Sequence, residues 1–201
     1  LVASHSPGAV FPLGTTTVTY IAYDSELNTD TCSFTVTVTD NEEPIIVDLP
    51  NNITIGSDSA SCDAVVTWVV PTATDNCSLD SLRSNYNSGD VFPLGTTTVS
   101  YTAFDANMNT TNASFTITVI DTTKPVIICS NNIAQCDSIV SFAAPTVSDN
   151  CTGLSVIRAD LTNLYSGDIF PVGVTTLVYQ VTDGSNNQAT CSFESTCNHS
   201  L

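Results

Sequence analysis

The stretch VFPLGTTTVSY occupies residues 91–101, and close copies stand at 10–20 (VFPLGTTTVTY) and 169–179 (IFPVGVTTLVY). A catalytic site is written once in a chain, so a phrase written three times belongs to a repeated structural unit. Each copy begins two residues after a glycine, and these glycines, Gly8, Gly89 and Gly167, lie 81 and 78 residues apart. Other phrases keep the same register. FTVTVTD (34–40) parallels FTITVID (115–121) and the altered FESTCNH (193–199). PIIVDLPNNI (44–53) parallels PVIICSNNI (125–133), and PTATDNC (71–77) parallels PTVSDNC (145–151).

Within the phrase, Phe-Pro-x-Gly is a turn, because Pro fixes φ and Gly admits a positive φ. Beyond it, Thr97, Val99, Tyr101 and Ala103 alternate with Thr98, Ser100 and Thr102. Phe115, Ile117 and Val119 likewise alternate with Ser114, Thr116 and Thr118. Period-two patterning in β-branched residues predicts half-buried antiparallel strands. DSELN (24–28), DANMN (105–109) and DGSNN (183–187) supply Asx-rich turns between them. No stretch has helical periodicity. The expectation is an all-β chain whose units of about 80 residues are β-sandwiches. The unit boundaries fall at 1–40, 41–121 and 122–201. The first matches only the second half of a unit, which implies either a fragment of a longer array or strands supplied by a neighbouring chain.

Composition narrows the function classes. The 201 residues hold 20 Asp and Glu but only three Lys and Arg, a formal net charge of −17. Nucleic acid is excluded as a partner, because phosphate neutralisation needs clustered cations. An anionic membrane surface is disfavoured for the same reason, and no apolar run approaches the ~18 residues of a spanning helix. Eight cysteines point to an oxidising compartment.

The repeats allow the cysteines to be compared within one chain. Cys62 and Cys77 occupy the positions of Cys136 and Cys151, so each of the two longer units carries that pair. Cys129 and Cys191 have no counterparts in the middle unit and are missing there together, as bonded partners would be. The expected disulfides are therefore Cys62–Cys77, Cys136–Cys151 and Cys129–Cys191. Cys32 matches Cys191, with a partner expected in the absent part of the first unit. Cys197 falls where Val38 and Val119 stand, and it is expected to be unpaired or intermolecular.

Together these phrases resemble the hyalin repeat (HYR) family. The matching residues are Pro44 and Pro125, Asn52-Ile53 and Asn132-Ile133, Trp68 on its strand, the Asp-Asn-Cys tripeptides at 75–77 and 149–151, and the three Phe-Pro-x-Gly phrases. The resemblance implies immunoglobulin-like modules in a linear tandem array, extracellular, adhesive and not catalytic. Two departures stand out: the middle unit lacks the terminal cysteine pair, and the last replaces Val-Thr-Val with Ser195-Thr196-Cys197.

Catalytic constellations are not written here. The two histidines, His5 and His199, lie near the chain ends, which leaves no triad inside a folded unit. There is no Cys-x-x-Cys for zinc, and Asp75 and Asp149 read as turn formers rather than paired acids. No cofactor is expected except calcium. Asp40, Glu42 and Glu43 at one unit junction and Asp121, beside Lys124, at the next, near hairpin residues such as Asp24 and Asp105, offer the oxygen ligands that calcium takes. Six Asn-x-Ser/Thr sequons occur, at Asn52, Asn76, Asn109, Asn112, Asn150 and Asn198; Asn109 and Asn112 on a hairpin, with Asn52, are the glycan candidates.

The functional expectation is a secreted or cell-surface structural or adhesive segment, part of a stalk, adhesin or fibre. Its partners would be other copies of the chain or neighbouring repeats. The alternatives are a module gripping a protein or carbohydrate ligand through its loops, and an accessory region of a secreted enzyme.

Overall fold

The computed structural model describes residues 1–135 and 139–197, and every regular element among them is a strand. The first repeat carries β1 (Val2–Ala3), β2 (Gly14–Tyr23) and β3 (Thr29–Val38). The middle repeat carries β4 (Ile45–Val47), β5 (Ile53–Gly56), β6 (Asp63–Val65), β7 (Thr72–Thr74), β8 (Leu79–Ser84), β9 (Val91–Pro93), β10 (Gly95–Asp105) and β11 (Thr110–Ile120). In the third lie β12 (Val126–Ile128), β13 (Ile133–Ala134), β14 (Ile139–Val140), β15 (Thr146–Ser148), β16 (Ser155–Arg158), β17 (Asp168–Ile169), β18 (Gly173–Thr182) and β19 (Gln188–Cys197).

These strands gather into two compact units. One holds Leu1–Leu49, Pro71–Ser84 and Tyr101–Ala113; the other holds Pro50–Val70, Asn85–Ser100 and the chain from Ser114 onward. In the first unit β1, β2 and β3 form an antiparallel sheet in that order. Its hairpin register runs from Gly14 opposite Val38 to Tyr23 opposite Thr29. β4 pairs with β7, and β8 pairs with Tyr101–Asp105 of β10. In the second unit β5 runs parallel to β11, and β6 is antiparallel to β9. The third repeat lies whole in this unit. Its main sheet has the order β13-β19-β18-β16, with β13 parallel to β19, and it is completed by the pairs β12-β15 and β14-β17. These are all-β sandwich modules, as the repeated alternation predicts, of the immunoglobulin-like kind that the family resemblance implies.

Aromatic side chains fill the interiors. The Trp68 ring meets Phe92 and Phe115 edge-on, with centroids 6.0 and 5.5 Å apart. Phe142 meets Phe170 and Phe193 in the same way, at 6.2 and 5.1 Å. Such pairs favour edge-to-face geometry because a ring's edge is positive and its face negative. The phenylalanine of the repeated phrase is thus a core residue in the second and third copies, Phe92 fully buried and Phe170 nearly so. The glycine that ends each Phe-Pro-x-Gly turn has positive φ (95°, 102° and 113° at Gly14, Gly95 and Gly173), which a side chain would strain.

Two expectations change. Trp68 lies just beyond β6 rather than within a strand. It is fixed there by Ser88, whose hydroxyl accepts from its N–H and donates to its carbonyl. The altered ending Ser195-Thr196-Cys197 does not interrupt β19, which pairs through Ser195 and Thr196 with β13. Backbone pairing tolerates the lost Val side chains, and Ser195 and Cys197 stay buried where Ile117 and Val119 stand in the middle repeat.

Candidate functional site

The chemistry-bearing groups collect where strands give way to loops. Strand parity explains why acids are buried there. Along β10 the inward residues are Val99, Tyr101 and Ala103, and the next inward position is Asp105, 3 % exposed. Beyond β11, Phe115, Ile117 and Val119 lead in the same way to Asp121, 7 % exposed, and Val181 leads to Asp183. Period two carries each carboxylate into a place that an apolar side chain would otherwise occupy.

The hairpin acids are satisfied locally. Asp105 accepts from the N–H groups of Asn107 and Asn109 and from Asn109 Nδ2. Asp183 has the same set from Ser185 and Asn187, and Asp24 has it from Glu26 and Asn28. Burial works to raise the Asp183 carboxyl, and the Asn187 and Ser185 hydrogen bonds outweigh it and lower the pKa. The amide of the turn asparagine also reaches the main chain of the residue just before its repeat: Asn109 Nδ2 donates to the Asp40 carbonyl and Asn187 Nδ2 to that of Asp121.

Around these scaffolds two acid clusters form. In the first unit, carboxylate oxygens of Asp40, Asp75 and Asp105 lie within 4.8 Å of one another. In the second, oxygens of Asp121 and Asp149 share such a group with the Cys151 sulfur. Each tripeptide aspartate uses one oxygen for its own turn: Asp75 Oδ2 accepts from the N–H groups of Cys77 and Ser78, and Asp149 Oδ2 from that of Cys151. The other oxygen, Asp75 Oδ1 or Asp149 Oδ1, is buried and has no hydrogen-bond partner. Asp121 divides in the same manner, with Oδ1 accepting from Thr123 N–H and Oδ2 buried and unpartnered. Asp40 is held below the usual carboxylate range, chiefly by the N–H of Glu42.

The structure thus keeps Asp40, Asp105 and Asp121 from the residues expected to serve calcium and removes the others. Glu42 accepts from Asn76 Nδ2 at 2.7 Å, Glu43 from the Thr111 hydroxyl at 3.5 Å, and Asp24 is exposed in its own turn. Sequence reading missed Asp75 and Asp149, since turn chemistry accounts for one oxygen of each tripeptide acid and says nothing of the second. Asn109 is also corrected as a glycan site: its nitrogen is committed to Asp105 and Asp40 and half-buried. Asn52 and Asn112 are exposed, and only their oxygens are engaged, with Thr116 N–H and the Thr102 hydroxyl.

The disulfides overturn one expected pairing outright. Cys62 bonds Cys151, 89 residues away and in the next repeat, with Cα atoms 4.8 Å apart. Cys77 is free and exposed. Partial burial and the carboxylates of Asp40, Asp75 and Glu42 push its thiol pKa up. The reason for the error is plain. Equivalent cysteines in successive repeats give the same sequence pattern whether they pair within a repeat or across two. Asn150 reinforces the staple, its Nδ2 reaching Ser57 Oγ, the Asp58 carbonyl and the Ser61 carbonyl at 3.0–3.2 Å. Cys129 bonds Cys191. Cys32 is free and exposed, whereas Cys197, expected to be unpaired, is buried and disulfide-bonded. Cys136, like Asn198 and His199, lies outside the described residues, so the expected Cys136–Cys151 bond fails on the Cys151 side.

A further polar centre in the third repeat has no sequence signal. Arg158 donates to both oxygens of Asp160 at 2.6 and 2.8 Å and to the Leu164 carbonyl, with its guanidinium over the rings of Tyr165 and Tyr179. Burial works to raise Asp160. Hydrogen bonds from Arg158, Thr162 and the Val178 N–H outweigh it and hold the carboxyl far below its ordinary value.

Sandwich repeats joined by a disulfide, with acids at their loop ends, define a class of tandem modules built for an oxidising exterior. The chain belongs to the HYR domain family, whose model matches residues 1–38, 39–119 and 120–197. It is 37 % identical over 199 residues to hyalin from Strongylocentrotus purpuratus and 38 % identical over 200 residues to hyalin from Lytechinus variegatus. Those alignments cover 93 % and 92 % of the chain, which spans only 16 % and 37 % of the two relatives. The Rattus norvegicus sushi, von Willebrand factor type A, EGF and pentraxin domain-containing protein 1 is 33 % identical over 153 residues, which are 72 % of this chain and 4 % of that protein. Among solved structures, cadherin domains 1–4 of protocadherin gamma B7 align over 91 % of the chain and 57 % of their own, with 14 % identity and a TM-score of 0.36. Family membership and the intrachain disulfides make this an extracellular chain.

Proposed function

We propose that this chain is a non-catalytic adhesive or structural segment of a larger extracellular protein, its modules at 1–40, 41–121 and 122–201 forming part of a surface stalk, adhesin or fibre. The observation that carries the reading is the Cys62–Cys151 bond, which ties one repeat covalently to the next. A recognition module acting alone has no need of such a tie, whereas an element that must hold its neighbours in register does. Its partners on this reading are further copies of the chain or adjoining repeats. The relatives named hyalin are consistent with a segment of a longer protein, since this chain spans only 16 % and 37 % of them. Electron microscopy of the purified chain over a range of concentrations tests it. Elongated particles that join into beaded filaments are expected; dispersed globular particles at every concentration would overturn it.

A further inference from the structure

The geometry points to two divalent-cation sites of the calcium class, one at Asp121 and Asp149 and one at Asp40, Asp75 and Asp105. The inference is independent of the adhesive role.

The Asp121 site is the more telling. Its carboxylate is 7 % exposed, and Oδ2 is buried with no hydrogen-bond partner. The Asp149 carboxylate approaches it within 4.8 Å and also keeps a buried, unpartnered oxygen, Oδ1. The next residue, Asn150, has a third such oxygen, because its amide nitrogen makes all of its contacts. Among the described residues no cationic side chain pairs with these groups within 4.0 Å. Lys124 lies in the same depression as Asp149, yet Arg158–Asp160 is the one ion pair within 4.0 Å among the described residues. A buried carboxylate beside a half-buried one, each with an oxygen withdrawn from water, is repulsive, an arrangement that normally requires a counter-charge.

The chemistry of the donors selects the ion. All are hard oxygens. The one sulfur in the group, that of Cys151, is bonded to Cys62 and offers no thiolate. Zinc and other soft-ligand metals are therefore poorly served, while calcium, which takes roughly 6–8 oxygens and accepts water among them, fits. The first-unit cluster repeats the plan. Asp40 stands in the place of Asp121 and Asp75 in that of Asp149, with Asp75 Oδ1 again buried and unpartnered, and Asp105 adds a third carboxylate. With so few charged ligands, affinity should fall in the range of extracellular modules, on the order of 10⁻⁴–10⁻³ M.

The test is equilibrium dialysis with calcium chloride, paired with thermal melting in chelator and in excess calcium. The parent chain should take up two calcium ions and melt about 5 °C higher in calcium than in chelator. Asp149→Asn and Asp121→Asn should each remove one ion and spare the other; Asp75→Asn should remove the second. The deciding sign is in chelator. There Asp149→Asn should melt at or above the parent, having lost an uncompensated charge, and in calcium it should melt below. Absence of calcium uptake by the parent, unchanged stoichiometry in the variants, or an Asp149→Asn deficit equal in chelator and in calcium would overturn the assignment.

Discussion

The tripeptide Asp-Asn-Cys is written twice, and its two copies meet different fates. At 149–151 the cysteine is bonded to Cys62 and the asparagine amide makes three contacts with the 57–61 loop. At 75–77 the cysteine is a free, exposed thiol, and the asparagine reaches only Glu42. The aspartate behaves alike in both, folding one oxygen into its own turn and leaving the other buried. The difference teaches which part of a motif is local. Turn geometry is dictated by neighbours along the chain and repeats faithfully; the covalent bond depends on what is brought opposite and does not.

Breaking the staple should have the largest effect. Closing a loop of about 90 residues removes chain entropy worth about 4 kcal/mol from the unfolded state. Cys62→Ala with Cys151→Ala should cost an amount of that order in denaturant melts of the oxidised protein, while Cys77→Ala should change stability by less than about 0.5 kcal/mol. Equal effects at the two copies would erase the distinction between them.

Next in size is a titration that separates charge from covalent closure. Because the Asp160 carboxyl is depressed in the folded state, its stabilisation is fully present above the ordinary aspartate value near 3.8 and drains away as pH falls below it. The third repeat should therefore lose on the order of 1–3 kcal/mol on acidification from pH 5 to pH 2, the scale of hydrogen bonds to charged groups. Asp160→Asn should flatten that slope, while the disulfides, which do not titrate, persist. Denaturant melts across that pH range would show it.

The smallest contrast lies in the amides. Asn150→Ala strips three hydrogen bonds from partly buried partners and should cost roughly 1–2 kcal/mol; Asn76→Ala, at an exposed site, should cost less than about 0.5 kcal/mol. Urea melts of the two variants side by side would measure the gap.

Much of the fold was legible because its signals are local. Alternation at 97–103 and 115–119 set the strands and their inward faces, and Phe-Pro-x-Gly marked turns whose glycines do adopt positive φ. The family followed from the same phrases. The disulfide was misread because Cys77 and Cys151 are equivalent by repeat, and equivalence cannot say which repeat holds the partner. The acid site was half-legible. Asp40, Asp105 and Asp121 were found by their type and place, but Asp75 and Asp149 were hidden behind turn chemistry that explains only one oxygen per carboxylate. Cys197 shows the limit of analogy in the other direction: its position is a valine's in the other repeats, and nothing along the chain announces a bond there.

The bond between Cys62 and Cys151 also alters the path along which the chain can be pulled. Tension arriving from the N-terminal side at Cys62 crosses two sulfur atoms and leaves at Cys151, so the covalent line of force bypasses the polypeptide between them, whose β7 and β11 are loaded through their pairing with β4 and β5. A proteolytic cut anywhere in that stretch would likewise leave the two ends joined. The segment written with the most elaborate repeat phrase in the chain is thereby relieved of continuity, and only reduction returns it to the line of force.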